Sequence, residues 1–289
     1  MRTSGLRDCG NTWPRITECS VGPRTPVSLA DMEPAAPSPV IEFRDVSYRV
    51  ADTQVLSGFS LQVQSGETLV LLGRSGSGKT TSLKLVNCLL SPTSGDVRVK
   101  GVSNREADVI RLRRSIGYVI QDVGLFPHFT VERNIGLVPK IEGWTQDRIR
   151  GRVQELLQTV GLDADIASRY PHQLSGGQRQ RVGVARALAA DPEILLMDEP
   201  FGALDPLTRD ELQREFLLLQ RRLHKTVVFV THDLREALRL GTRIALMEAG
   251  RLVTVLSPAE FLRSTDSLAA AYVRAFGEGL ESAANRGTS

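Results

Sequence analysis

An eight-residue segment rich in glycine and serine has the composition and spacing of a phosphate-binding loop, or P-loop. The segment reads Gly73-Arg74-Ser75-Gly76-Ser77-Gly78-Lys79-Thr80, which fits the pattern G-x-x-x-x-G-K-[ST]. Its glycines let backbone N–H groups converge on phosphate oxygens, and a helix that begins here directs its positive dipole end at the same anion. Lys79 can reach the outer phosphates of a nucleotide, and the Thr80 hydroxyl can bind Mg²⁺. We expect Thr81 to belong to the same nucleotide-binding site. A functionless turn is the alternative, but the strand predicted before the segment and the helix predicted after it favour phosphate binding.

Two carboxylates, Asp198 and Glu199, directly follow the apolar run at residues 194–197. A strand of a parallel sheet delivers the residues at its carboxyl end to the ligand crevice. We therefore expect Asp198 to hold Mg²⁺, through water, and Glu199 to orient and polarise an attacking water molecule. Two solvated carboxylates at a strand end are the alternative, and the P-loop makes the catalytic interpretation the stronger one.

The elements that must position these residues are predicted from apolar runs and helical spacing. Apolar runs predict strands at residues 41–43, 59–63, 68–72, 116–120, 194–197, 227–230 and 244–247. Helices are predicted at residues 81–90, within 126–170 and after Ser175, and residues 247–252 have the pattern of a hairpin turn. The helix that Gly161 should end has one apolar face, formed by Ile149, Val153, Leu156, Leu157 and Val160. Strands that alternate with helices predict an α/β fold with a mostly parallel sheet.

The bulk composition limits the classes of protein to which the chain can belong. Its 289 residues include 41% hydrophobic residues and carry a formal net charge of +3, which gives no argument for nucleic-acid binding. The cysteines, Cys9, Cys19 and Cys88, form no C-x-x-C pair, so a reducing compartment is favoured over a disulfide framework. No apolar run approaches the ~20 residues of a membrane-spanning helix, and the first residues do not resemble a signal peptide. Membrane association is therefore expected to come through a partner.

Three segments are expected along the chain. Residues 1–39 are rich in proline and predict a disordered tail, or a mis-assigned extension if translation begins at Met32. Residues 40–265 should form the nucleotide-binding domain. Residues 266–289 should be a short C-terminal extension, frayed from about residue 277 because its end is small and polar.

Four further motifs narrow the class of P-loop protein. They are Leu174-Ser175-Gly176-Gly177-Gln178 shortly before the acidic strand, Gln121 after a strand, Ala203-Leu204-Asp205, and Thr231-His232-Asp233. With these motifs in this order, residues 41–262 resemble the ABC ATPase family, whose signature is LSGGQ. The resemblance implies a RecA-like P-loop core with a parallel sheet, an antiparallel β subdomain and a helical subdomain at about 126–170. A DNA-repair or chromosome-organising ATPase shares this head, but such proteins contain long coiled coils, and the chain has no sustained heptad run.

The signature segment is a second candidate for phosphate binding. Ser175 is a good helix N-cap, and the two glycines after it leave the backbone bare. The resemblance implies a head-to-tail dimer with a second ATPase subunit, expected to be another copy of this chain, in which ATP lies between the P-loop of one subunit and the signature of the other. It adds to the nucleotide site Ser175, Gly176, Gly177, Gln178 and Asp205. It also implies that His232 contacts the γ-phosphate and that Gln121 binds Mg²⁺ and the attacking water.

A narrower resemblance concerns the transported solute. Residues 116–121, 124–131 and 134–135 look like the ATPases of bacterial importers, and residues 137–140 with Trp144 are similar to those that import glycine betaine, choline and related osmoprotectants. The implied partners are permease subunits at the cytoplasmic face of the inner membrane and, indirectly, a solute-binding protein. An importer ATPase for another solute, such as an amino acid or a polyamine, is the alternative.

Three departures or ambiguities accompany the resemblance. The family stacks adenine on an aromatic residue after the first strand, where this chain has Val50, with Tyr48 two residues earlier. The C-terminal extension is too short for the pair of CBS modules that some relatives carry. The apolar residues Phe126, Pro127 and Phe129 suit either a docking groove for the permease or the core of the helical lobe.

Overall fold

The structure is a computed structural model that describes residues 38–121, 123–202 and 204–286, with side chains as far as Phe276. The predicted tail, with Met32, therefore lies almost entirely outside the described residues, as does Ala203. Within the described residues, no helix combines the length and the apolar character that crossing a bilayer requires.

Among the described residues, six strands form the sheet that positions the P-loop, in the order β10-β9-β3-β8-β7-β6. Their bounds are β3 Thr68–Gly73, β6 Ile116–Val119, β7 Ile194–Asp198, β8 Thr226–Thr231, β9 Arg243–Glu248 and β10 Arg251–Leu256. Neighbouring strands run parallel except β10, which forms the predicted hairpin with β9. The predicted α/β core with a mostly parallel sheet is confirmed.

A second, antiparallel sheet has the strand order β2-β1-β4-β5. Its strands are β1 Ile41–Val50, β2 Thr53–Val63, β4 Ser94–Val99 and β5 Val102–Ser103. Strands β1 and β2 extend well beyond the predicted runs at 41–43 and 59–63. The reason is that register shifts between Phe43 and Val46, and again before Tyr48, break the alternation by which strands are recognised in a sequence.

The helices pack against the central sheet and form the lobe beside it. They are α1 Lys79–Val86, α2 Val109–Ser115, α3 Val131–Ile135, α4 Leu137–Ile141, α5 Gln146–Thr159, α6 Gly176–Leu188, α7 Pro206–Leu223, α8 Leu234–Leu240, α9 Pro258–Leu262 and α10 Ser267–Arg286. The prediction of a helix at 81–90 was wrong at its end, because Cys88 takes a left-handed backbone conformation with φ 56° and stops the helix before Pro92.

The predicted helical lobe is formed by α3, α4 and α5, followed by short 3₁₀ helices at Ala164–Ser168 and Pro171–Gln173. The buried side chains of α5 are Ile149, Val153, Leu156 and Leu157, as its spacing predicts. Gly161, with φ 67°, lies just past the C-cap Val160 and confirms the predicted stop.

The central sheet separates two hydrophobic cores. In β3, Leu69 and Leu71 face the core shared with the antiparallel sheet and α1, whereas Val70 and Leu72 face the core shared with the lobe and α7. Every residue of β3 is buried. The P-loop therefore starts from a strand that is packed on both faces, which holds its first residue in place.

The C-terminal extension forms the helix α10 as far as residue 286, and the fraying expected from about residue 277 stays a prediction. Ala269 is fully buried, and Tyr272, Val273 and Phe276 pack against the core. The helix packs against α8 and α9, because its apolar residues recur at helical spacing.

Candidate nucleotide-binding and hydrolysis site

Close packing fixes the backbone of the P-loop. The loop leaves β3 at Gly73, where an added Cβ would collide with the Met247 carbonyl oxygen. It enters α1 after Gly78, whose φ of 96° favours glycine and whose added Cβ would lie 2.6 Å from Leu56 Cδ2. Side chains are thus excluded at both ends, and the backbone N–H groups between them are left to line a cavity.

The ammonium group of Lys79 lies over this loop. Its Nζ donates to the carbonyl oxygens of Gly73 and Arg74, at 2.8 Å each, and the residue is buried. Burial lowers the pKa of Lys79, while the carboxylates of Glu199 and Asp198 oppose that shift. A positive charge buried beside the loop is well placed to bind a phosphate anion.

The predicted metal ligands Thr80 and Asp198 are in contact. The Thr80 hydroxyl donates to Asp198 Oδ1 at 2.9 Å, across the junction of α1 and β7. Burial raises the pKa of the Asp198 carboxyl, and the hydrogen bond from Thr80 partly offsets this. Hydroxyl and carboxylate oxygens are the ligand types that Mg²⁺ prefers, so these residues fit that ion.

Glu199 and His232 come together because they follow the neighbouring strands β7 and β8. His232 Nδ1 lies 3.1 Å from Glu199 Oε2, and the Glu199 backbone N–H donates to the Val230 carbonyl oxygen at 3.1 Å. Glu199 has φ 44°, an unusual conformation for a residue other than glycine. Glu199 lines the same cavity as the P-loop, and backbone strain of this kind clusters at functional sites.

These residues line one cavity of about 740 Å³, a size suited to a small organic ligand such as a nucleotide. Its lining consists of Val55, Arg74, Ser75, Gly76, Gly78, Lys79, Thr80, Thr81, Gln121, Glu199, His232, Leu268, Ala271, Tyr272 and Ala275. The structure thus brings together Gln121, Glu199, His232 and the predicted P-loop residues other than Gly73 and Ser77, which lie outside this lining. Asp198 joins them through its bond to Thr80.

The signature segment lies elsewhere. The described residues that line the cavity do not include Ser175, Gly176, Gly177, Gln178 or Asp205. Ser175 and Gln178 cap α6 reciprocally, with Gln178 N–H donating to Ser175 Oγ at 3.2 Å and Ser175 N–H donating to Gln178 Oε1 at 3.0 Å. Asp205 caps α7 by accepting from the N–H groups of Leu207 and Thr208. One copy of the chain therefore keeps its two candidate phosphate sites apart.

The candidate aromatic residues after the first strand also lie outside the cavity lining. Val50 is 53% exposed, and Tyr48 packs against the core beneath the antiparallel sheet. The aromatic side chain in the lining is instead that of Tyr272 on α10.

Sequence reasoning missed Val55 and the four cavity-lining residues of α10. No motif marks Val55. The spacing of Leu268, Ala271, Tyr272 and Ala275 is that of one helix face, which predicts an amphipathic helix but not the surface that it covers.

A parallel sheet in which β3 leads through a glycine loop into α1, with carboxylates at the end of a nearby strand, defines a P-loop nucleotide-binding fold. A family model described as "ABC transporter" matches residues 56–202, about half of the chain. The chain belongs to the ABC transporter family.

Sequence and structure similarity to known proteins supports this family assignment. The glycine betaine/carnitine/choline transport ATP-binding protein OpuCA of Bacillus subtilis is 51% identical over 211 residues, which are 73% of this chain and 56% of that protein. The glycine betaine uptake system ATP-binding protein YehX of Escherichia coli is 50% identical over 223 residues, which are 77% of this chain and 72% of that protein. The dimeric ATP-binding cassette MJ0796 bound to ADP and Pi has a TM-score of 0.69 at 33% identity, covering 75% of this chain and 98% of that one. The chain spans about half the length of relatives such as OpuCA.

Proposed function

We propose that this chain is the ATP-binding and ATP-hydrolysing subunit of a bacterial importer for osmoprotectants such as glycine betaine, choline or carnitine. The observation that supports it most directly is the single cavity lined by the P-loop, Gln121, Glu199 and His232. A phosphate-binding loop next to a carboxylate and a histidine has the parts that hydrolysis of a terminal phosphate needs.

In this proposal, each group has one role in the attack of water on the γ-phosphate. Lys79 exchanges its carbonyl partners for phosphate oxygens and stabilises the negative charge that develops there. Glu199 accepts a hydrogen bond from the attacking water and orients it, and Gln121 contacts the same water. His232 donates to the γ-phosphate and, through its contact with Glu199, fixes the direction of that carboxylate. The water oxygen bonds to the γ-phosphorus as the water gives a proton to Glu199, the bond from that phosphorus to the β-phosphate oxygen breaks, and ADP and phosphate are released.

We assign Mg²⁺ to Thr80, Asp198 and Gln121. When bound, the ion supplies positive charge to the phosphate oxygens of the nucleotide. Asp198 contributes the negative charge that attracts the cation, and Thr80 keeps this carboxylate beside the P-loop.

The proposal includes a head-to-tail dimer of two copies. Ser175, Gly176, Gly177 and Gln178 lie outside the cavity of their own chain, so they are free to meet a nucleotide bound by another copy. Asp205 lies nearby, since a Cβ added at Gly177 would be 2.7 Å from Thr208 Cγ2 at the start of α7. The similar cassette MJ0796 is dimeric with ADP and Pi, which supports this arrangement.

We assign the surface of the lobe to a permease, which would hold the chain at the cytoplasmic face of the inner membrane. A cavity of about 300 Å³ there is lined by residues that include Phe129, Arg133 and Lys140. Phe126 is 41% exposed and its ring lies 5.3 Å from that of Phe129, which favours docking over a core role for Phe126. The solute-binding protein acts on this chain only through the permease, and no nucleic acid takes part. The names of OpuCA and YehX support quaternary amines as the solutes.

Replacing Glu199 by Gln tests the enzymatic part of the proposal. We expect Glu199→Gln to bind ATP normally while its turnover falls by about a hundredfold or more, because the amide cannot accept a proton from water. Glu193→Gln is the matched control, since Glu193 is exposed and pairs with Lys100. Phosphate release by the purified chain measures the turnover. A Glu199→Gln variant that hydrolyses ATP as fast as the parent chain would show that Glu199 has no role in the reaction.

Uptake by cells tests the solute. In a strain that lacks this chain, we expect the parent chain to restore uptake of labelled glycine betaine, choline or carnitine, and Glu199→Gln not to restore it. Restored uptake of an amino acid or a polyamine instead would keep the ATPase and overturn the solute assignment.

A further inference from the structure

The helix α10 lies against the nucleotide pocket, although no motif of the sequence points to it. Leu268, Ala271, Tyr272 and Ala275 line the 740 Å³ cavity along one face of this helix. Their spacing of three and four residues places them one above the other on that face. The cavity is therefore closed on one side by the C-terminal segment of the same chain.

The cavity-lining face of α10 lies across from the first half of the P-loop. A second cavity, of about 200 Å³, lies between Leu268, Tyr272, the turn of the β9–β10 hairpin and loop residues 74–77. Leu268 and Tyr272 line both cavities together with Arg74, Ser75 and Gly76 of the loop. Burial raises the pKa of the Tyr272 phenol, with nearby Arg74 opposing the shift, so the hydroxyl stays neutral at physiological pH.

This half of the loop has little other support. Lys79 donates to the Gly73 and Arg74 carbonyl oxygens, and Ser77 N–H donates to the Arg74 carbonyl oxygen at 3.2 Å. A Cβ added at Gly76 would meet no described atom within 4 Å. The loop is therefore open in front of Gly76, which leaves room for phosphate, and Tyr272 borders the same space.

The helix is anchored well enough to act as a wall. Ala269 is fully buried, and the Arg235 guanidinium lies 5.6 Å from the centre of the Phe276 ring. Arg235 belongs to α8, which begins just after His232. The same helix thus lines the cavity beside the P-loop and packs against α8, the helix that follows His232.

We propose that α10 is a wall of the nucleotide pocket and that Tyr272 is a positioning residue, which holds loop residues 74–77 in the shape that binds the outer phosphates. The inference rests on the proposed nucleotide binding at the P-loop and adds to it a contribution from the C-terminal segment. The face of α10 toward the cavity is apolar apart from the phenol, so it supplies packing and excludes water, while the P-loop supplies the phosphate ligands.

Nucleotide binding to the full chain tests this inference, in a Glu199→Gln background that preserves bound ATP. We expect Tyr272→Ala to weaken ATP binding by about tenfold and ADP binding by less, because the supported half of the loop serves the outer phosphates. Tyr272→Phe should stay within about twofold of the parent, since the ring provides the packing. Arg274→Ala, on the exposed side of the same helix, is the control and should bind as the parent does.

Two further measurements separate positioning from general destabilisation. With Glu199 restored, Tyr272→Ala should raise KM for ATP and leave kcat nearly unchanged, because Glu199 and His232 are intact. Ala271→Leu is a second variant that tests the same inference if Tyr272→Ala does not fold. It should leave unfolding of the nucleotide-free chain unchanged and weaken ATP binding several-fold, because the added side chain narrows the cavity.

Parental ATP affinity in both Tyr272→Ala and Ala271→Leu would overturn the inference. Lys79→Ala in the same assay distinguishes this from failure of the proposed function. If Lys79→Ala weakens ATP binding by about a hundredfold while the α10 variants bind normally, only the role of α10 is disproved. If Lys79→Ala also binds normally, the P-loop assignment itself is wrong.

Discussion

Two helices of this chain begin at glycine-rich segments, but their first turns are satisfied in different ways. At α1 the N-cap is Gly78, and no described side chain accepts a hydrogen bond from the first turn. At α6 the N-cap is Ser175, whose side chain and that of Gln178 satisfy each other's backbone N–H groups. The first helix start is left open toward a cavity, whereas the second is already capped by its own sequence.

The difference indicates what each helix start needs from a ligand. The unpaired N–H groups of an uncapped helix favour an anion, and the Lys79 ammonium adds a full positive charge beside them. The start of α6 folds without a ligand, yet Gly176 and Gly177 still present bare backbone on its surface. We infer that α1 binds phosphate within a single copy, and that α6 contributes only when two copies come together.

Removing the cation at α1 should have the largest effect. We expect Lys79→Ala to weaken ATP binding to a single copy by about a hundredfold, because the variant loses a charge-assisted bond to phosphate and the bonds that shape the loop. Lys100→Ala is the control, since Lys100 is an exposed cation that pairs with Glu193. Calorimetric titration with ATP measures the affinity. Unchanged binding by Lys79→Ala would contradict the inference that the start of α1, unlike that of α6, binds phosphate within a single copy.

Removing the cap at α6 should have a smaller effect of a different kind. We expect Ser175→Ala to lower the free energy of unfolding by about 1 kcal/mol through loss of the cap. ATP binding to a single copy should be unchanged, whereas ATP-dependent dimer formation in the Glu199→Gln background should fall by about tenfold.

Ser257→Ala provides a matched control for the Ser175 prediction. Ser257 forms the same kind of capping box, with Glu260, at the start of α9. This variant should lose comparable stability and still form the ATP-dependent dimer, as measured by size-exclusion chromatography with and without ATP. Equal dimerisation in the two variants would mean that α6 is only a capped helix and not a phosphate site.

The sequence predicted the residues of the cavity better than it predicted the elements around them. The P-loop, Asp198 and Glu199 belong to short segments whose local geometry follows from a strand end or a glycine loop, so their meeting could be expected. The end of α1 at Val86 could not, because it depends on the left-handed conformation of Cys88.

The position of α10 beside the cavity is the larger feature that the sequence did not predict. Its spacing identifies a helix, but its place beside the P-loop cavity depends on where α8, α9 and the β9–β10 hairpin hold it. Long-range packing of this kind leaves no local pattern in the sequence. The capping of α6 is easier to predict from the sequence, since Ser175 and Gln178 have the spacing of a capping box.

Glu236, on α8, links the strand that precedes His232 to α7. Its buried carboxylate accepts from Thr231 Oγ1 at 2.6 Å, just before His232, and from Gln213 Nε2 at 3.1 Å on α7, whose start lies beside α6. Burial raises the pKa of Glu236. The nearby Asp233 carboxylate also raises it, while the hydrogen bonds from Thr231 and Gln213 and the Arg209 charge lower it.

Replacing this carboxyl with an amide should give the smallest effect, one that depends on pH. Because the folded state holds the Glu236 proton more tightly than the unfolded state, protonation favours folding at low pH, and this contribution is lost as the pH rises through the raised pKa. Glu236→Gln cannot ionise, so its stability relative to the parent should improve from about pH 4 to about pH 8, by under about 1 kcal/mol because the two hydrogen bonds partly offset burial. Urea unfolding at both pH values measures this, with the exposed Glu106→Gln as the control. A relative stability that stays flat or falls with rising pH would show that the carboxylate is stabilised in place, so that the link between α7 and the His232 strand is a charged one.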